Sequence, residues 1–113
     1  MTKVRLKRDL THFDLSCKDH ATGSEAVCAA ATMLCYALAA YLYNICCTIE
    51  EIKLEKGDVH IRYKGDDPKC EAAFEMACVG FLSLEASFPD YLKIERAGKE
   101  TFLERLSEVS GLN

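Results

Sequence analysis

What this sequence lacks narrows its chemistry before any motif is considered. It has no basic excess: 18 acidic side chains against 14 basic ones leave a formal net charge of −4. Nucleic-acid binders usually present a basic face, and the field of an acidic domain opposes that partner. The one basic cluster is Lys3, Arg5, Lys7 and Arg8. Three of these alternate along an expected strand, so they read as a solvated strand face. The N-terminal MTKVRLKRDL contains no apolar run of the kind an export signal needs, so a cytoplasmic protein with reduced thiols is expected. Cysteine is abundant, with 7 residues, yet no C-x-x-C pair occurs. Adjacent Cys46 and Cys47 are poorly spaced for two ligands of one structural zinc. Neither a metal site nor a cofactor is expected. The sequence also has no G-x-G-x-x-G, no Walker loop and no H-E-x-x-H, which excludes the common nucleotide and zinc-peptidase motifs. No repeat, linker or low-complexity stretch interrupts it.

What is present is enough apolar residue for a core, 50% of the chain. One domain over residues 1–113 is expected, with its core at about 2–96 and a polar tail at 97–113. A chain this short leaves much apolar surface to cover, which an oligomer would help to do. Ala26 to Cys47 carries no formal charge and is long enough to span a bilayer. Its apolar residues are largely Ala and Cys, however, and its flanks are Glu25, Glu50 and Glu51 rather than Lys or Arg. A buried central helix is the better reading, with no membrane partner.

Apolar and polar residues alternate over 2–8 and 11–18, the pattern of a half-buried hairpin. A loop at 19–24 leads into the central helix, expected from about 24 to 47. Thr22-x-x-Glu25 fits a capping box, and Ser24 competes as N-cap. Ile49, Ile52 and Leu54 lead to the turn Lys56-Gly57-Asp58, and Val59, Ile61 and Tyr63 follow as a second hairpin. Asp67 and Pro68 look like the N-cap and first residue of another helix. Its apolar stripe is Cys70, Phe74, Ala77, Phe81, Leu84 and Phe88. Pro89 ends it, and Tyr91–Glu95 is a short last strand. The order is ββαββαβ, an α+β fold with a mostly antiparallel sheet packed by two helices. Phe102, Leu103 and Leu106 suggest a weak terminal helix.

Cys28 falls in the first two turns of the central helix, where unpaired N–H groups and the helix dipole favour a thiolate. His20 ends the second strand, close enough along the chain to fold back onto the sulfur, and Gly23 gives the intervening loop freedom. Taken alone, Cys28 reads first as a core cysteine of an Ala-rich helix, and His20 as a surface loop histidine. His12 and His60 read as surface histidines, with His12 able to reach the site only if the first hairpin turns toward the loop. Tyr36, Tyr41 and Tyr43 read as core or dimer contacts.

His20-Ala21 followed by Glu25-Ala26-Val27-Cys28-Ala29-Ala30-Ala31-Thr32 resembles the signature of the ribosomal-processing cysteine protease (Prp) family. That family shows Gly-His-Ala, a glycine-bearing loop, then Asp-Ile-Val-Cys-Ala-Ala-x-Ser. The element order and Phe88-Pro89-Asp90-Tyr91-Leu92-Lys93-Ile94 are similar as well, so the likeness covers residues 2–96. The resemblance implies a cysteine endopeptidase with Cys28 as nucleophile, His20 as catalytic histidine, and Glu25 and Thr32 in support. Ala21, Thr22, Gly23 and Ser24 would form a substrate loop. It also implies a homodimer and, as substrate, the N-terminal extension of ribosomal protein twenty-seven of the large subunit. The chain departs from the pattern in four ways. Asp19 stands where the family has Gly, Glu25 replaces Asp, Thr32 replaces Ser, and the His20–Cys28 loop is shorter. The short loop implies an altered cleft. Two alternatives follow: a relative cutting a phage structural protein, and a non-catalytic binding or assembly protein that keeps the fold.

Overall fold

The computed structural model describes residues 1–19, 24–45, 48–55 and 57–95. The expected order is observed: β1 (Thr2–Arg8), β2 (His12–Lys18), α1 (Glu25–Leu42), β3 (Thr48–Glu55), β4 (Asp58–Lys64), α2 (Pro68–Ser87) and β5 (Leu92–Glu95). The strands form one sheet in the order β3-β4-β2-β1-β5. All neighbours pair antiparallel except β1 and β5, which run parallel. That exception follows from the chain path, because β5 returns to the sheet through α2 instead of a tight turn.

The alternating strands put Val4, Leu6, Phe13, Leu15, Val59, Ile61 and Tyr63 on one face, all buried. Both helices cover that face with their stripes, Val27, Ala31, Cys35, Leu38 and Leu42 from α1 and Cys70, Phe74, Ala77, Cys78 and Phe81 from α2. Phe13 stacks on Tyr63 at 5.0 Å and packs on Phe74 at 5.3 Å. The Tyr63 hydroxyl donates to the Cys70 carbonyl at 3.0 Å, tying the start of α2 to β4. Where α2 meets α1, a side chain on Gly80 would lie 2.6 Å from Leu34, so glycine permits the close approach. At the sheet edge, the Glu85 carboxylate accepts from the Ile94 N–H at 2.7 Å, giving β5 a partner for an edge amide.

Three expectations need correction. Helix α1 ends at Leu42 instead of about 47. Its apolar composition runs on, but its buried stripe stops there, and the Asn44 side chain turns back onto the Ala40 carbonyl at 2.8 Å. Phe88 does not extend the α2 stripe. It is the C-cap, at φ −134° and ψ 60°, and is 38% exposed. Pro89 disfavours helical backbone at the residue before it. Cys78 and Leu82 are buried on α2 instead. Of the two readings of the three tyrosines, core or dimer contacts, the core one does not hold: Tyr36, Tyr41 and Tyr43 are all exposed. By contrast, Asp67 caps α2 as expected, accepting from the Lys69 N–H at 2.8 Å with Pro68 in the first turn. The tail, its suggested helix and Cys46–Cys47 lie outside the described residues.

Candidate active site

Ser24 caps the helix that carries Cys28. Its Oγ accepts from the Val27 N–H at 3.3 Å, and its carbonyl accepts the Cys28 N–H at 3.3 Å. Cys28 therefore makes the first intrahelical bond of α1. The N–H groups of Glu25 and Ala26 precede that bond, and the positive end of the helix dipole lies beside the thiol. Cys28 is half-buried, flanking the stripe instead of sitting in it.

Cys28 opens onto a cavity of about 330 Å³. One wall is a face of α1: Cys28, Ala31, Thr32, Cys35 and Tyr36. These residues recur at three- and four-residue steps, so a single helix face presents them all. The other wall is the end of the sheet where β1 begins and β2 stops, with Thr2, Cys17 and Val59. Asp19, Glu55 and Gly57 form the rim. Glycine is required at Gly57, which has φ 78° in the β3–β4 turn. Its carbonyl accepts the Asp19 N–H at 2.9 Å and so holds the end of β2 against that turn.

Asp19 itself has φ 67°, the left-handed region that favours glycine. Thr32 lies one turn beyond Cys28 and lines the same cavity. Glu25 is exposed in the first turn of α1, where its charge suits the dipole, and does not line the cavity. His20 and the loop residues Ala21, Thr22 and Gly23 lie outside the described residues.

The two described histidines are placed far from this chemistry. His12 begins β2, about 20 Å of strand from the Asp19 end. His60 is on the sheet face away from the helices, where its ring meets Glu51 at 2.8 Å and Asp14 at 3.1 Å. Arg62 joins the same carboxylates at 3.5 Å.

Cys17, Cys35 and Tyr36 were not singled out from the sequence as parts of a site. Cys17 and Cys35 share a hydrogen bond between β2 and α1. That bond holds the Cys17 thiol below its ordinary range, against the opposing effect of burial. The same bond, then burial and the charge of Cys17, push Cys35 up. Their shared place is set by tertiary packing. The only sequence signal is the seven-residue step from Cys28 to Cys35, which puts both on one helix face.

A half-buried thiol at a capped helix start, facing a cavity able to take a side chain, is an arrangement that thiol hydrolases use. The chain belongs to the family described as cysteine protease Prp, whose sequence pattern matches residues 1–93, and it is a cysteine protease. The fold agrees with two crystal structures of the essential ribosomal processing protease Prp from S. aureus. The one with a covalently linked product peptide has TM-score 0.73 at 17% identity, covering 84% of this chain and 98% of that chain. The one with a substrate peptide has TM-score 0.69 at 18% identity, with the same coverage. Among curated proteins, none matches the chain.

Proposed function

We propose that this cysteine protease cuts a protein precursor with Cys28 as nucleophile and His20 as its base. The observation that carries this reading is the position of Cys28 at the first intrahelical bond of α1, open to a cavity rimmed by Asp19. Asp19 is the residue that precedes His20 in the chain, and the other histidines lie on β2 and β4, away from the cavity. His20 takes the Cys28 proton or holds it as an ion pair. The thiolate attacks the scissile carbonyl, and the amine leaves with the proton from His20. Water, activated by His20, then hydrolyses the thioester. Helix-start N–H groups are the oxyanion donors in this scheme. Those of Val27 and Cys28 are taken by Ser24, which leaves Glu25 and Ala26. Thr32 acts beside the sulfur, and Glu25 acts through the helix start.

The substrate proposed is a large-subunit ribosomal protein precursor, because the similar S. aureus structures are described as ribosomal processing proteases. The protein and its Cys28→Ala variant should be incubated with host precursor and the products read by mass. A single shortened product made only by the unsubstituted protein supports the reading. Equal cleavage by Cys28→Ala overturns the nucleophile, and an intact ribosomal precursor beside a cleaved phage structural protein overturns the substrate.

We also propose a cytoplasmic homodimer. An apolar groove of about 270 Å³ between α1 and α2 is lined by Leu34, Ala37, Tyr41, Ala73 and Met76. Met33 and Met76 nearby are 66% and 75% exposed. An uncovered apolar face of this kind suits a second copy.

A further inference from the structure

The proteolytic mechanism uses one of the three cysteines lining the cavity and leaves Cys17 and Cys35 without a role. We propose that these two thiols are an oxidation site, converted by a hydroperoxide into a disulfide across the cavity floor. The pair comes from different elements, β2 and α1, and both side chains face the cavity through which a small oxidant would enter. Both are buried, at 8% and 0% exposure, and both are free thiols joined by a hydrogen bond. Cys28 is a poor disulfide partner for Cys35. Two helical turns separate them by about 10 Å, beyond the span of about 7 Å that a disulfide tolerates between Cα atoms.

Cys17, the more exposed of the two at 8% against 0%, is the attacking group. Its sulfur displaces hydroxide from the peroxide oxygen, giving a sulfenic acid. The Cys35 sulfur then attacks that sulfenic sulfur, the S–OH bond breaks, and the oxygen leaves as water with the Cys35 proton. Two thiols are oxidised by two electrons, and one peroxide becomes two waters.

The consequence for turnover rests on the proposed nucleophile; formation of the bond does not. A Cys17–Cys35 link would close a loop holding both His20 and Cys28. It would also draw α1 toward β2 at the cavity floor, narrowing the space for a substrate side chain.

The test uses the whole protein treated with hydrogen peroxide and then mapped by non-reducing digestion and mass spectrometry. The expected result is a linked Cys17–Cys35 peptide pair, two hydrogens lighter than the thiols and separated by dithiothreitol. Proteolytic activity should fall with the extent of linkage and return on reduction. In Cys35→Ala, the linkage should vanish, and with it the fall in activity that tracks linkage. Cys17 and Cys35 recovered as thiols while Cys28 is oxidised would overturn the proposal, as would a Cys17–Cys28 link. If the link forms in a protein in which Cys28→Ala cleaves normally, the oxidation site stands and the nucleophile assignment fails.

Discussion

Asp19 shows how a single residue connects sequence, backbone and site. Left-handed backbone at φ 67° is the reason a glycine suits this position, where the resembling family carries one. Asp is among the side chains that tolerate the region, so the substitution is strained but possible. Asp19→Gly should stabilise the fold by about 1 kcal/mol, read as a higher thermal midpoint. An unchanged or lower midpoint would show that the Asp side chain has a compensating role at the rim. Cys28→Ala should lower kcat by at least about 1,000-fold with the thermal midpoint little changed. The Cys17–Cys35 pair carries a pH signature of its own. Cys17 is lowered and Cys35 raised, so below the ordinary thiol pKa of about 8.5 the unfolded chain binds the extra proton and stability rises with pH. Above it the folded state binds the extra proton, so the contribution falls again. Comparing midpoints of unsubstituted protein and Cys35→Ala from pH 6 to 11 should show this maximum lost in the variant.

At the scale of elements, α1 and α2 show what could and could not be read from the chain. Asp67-Pro68 signals the start of α2 by local chemistry alone, and the cap is found there. The hairpins follow from alternation, which needs no knowledge of partners. The end of α1 is not legible because composition stays apolar to Cys47 while the buried stripe of the helix ends at Leu42. Burial depends on how far the sheet extends beneath the helix, which no local pattern encodes. Phe88 was placed in a stripe by its spacing, but the following Pro89 sets its backbone. Ser24 and Tyr63 supply the corresponding tests. Ser24→Ala should cost about 1 kcal/mol through the lost cap, and should also lower kcat because the helix start orients Cys28. Normal kcat with reduced stability would separate the cap from catalysis. Tyr63→Phe should cost about 1 kcal/mol by removing the bond to the Cys70 carbonyl, with no change in KM.

For the whole molecule, the site is a property of topology. Its walls come from β1, β2, β4 and α1, which meet at one end of the sheet. Cys28 and Thr32 were legible because they share one helix and a recognisable run. Cys17 and the rim residues Glu55 and Gly57 were not, because only the pairing of β4 beside β2 brings them together. The same topology leaves the outer faces of α1 and α2 with exposed Met33, Tyr41 and Met76. Met76→Glu should shift the protein toward monomer in sedimentation; an unaltered dimer would place the interface elsewhere.

The most direct measurement of the central claim is the identity of the cysteine that a substrate-like electrophile captures. The protein should be treated with a peptidyl chloromethyl ketone, digested, and each of its 7 cysteines assigned by mass. One adduct is expected, on Cys28, formed far more slowly in His20→Ala. An adduct on Cys17, or labelling of Cys28 at the same rate without His20, would contradict it.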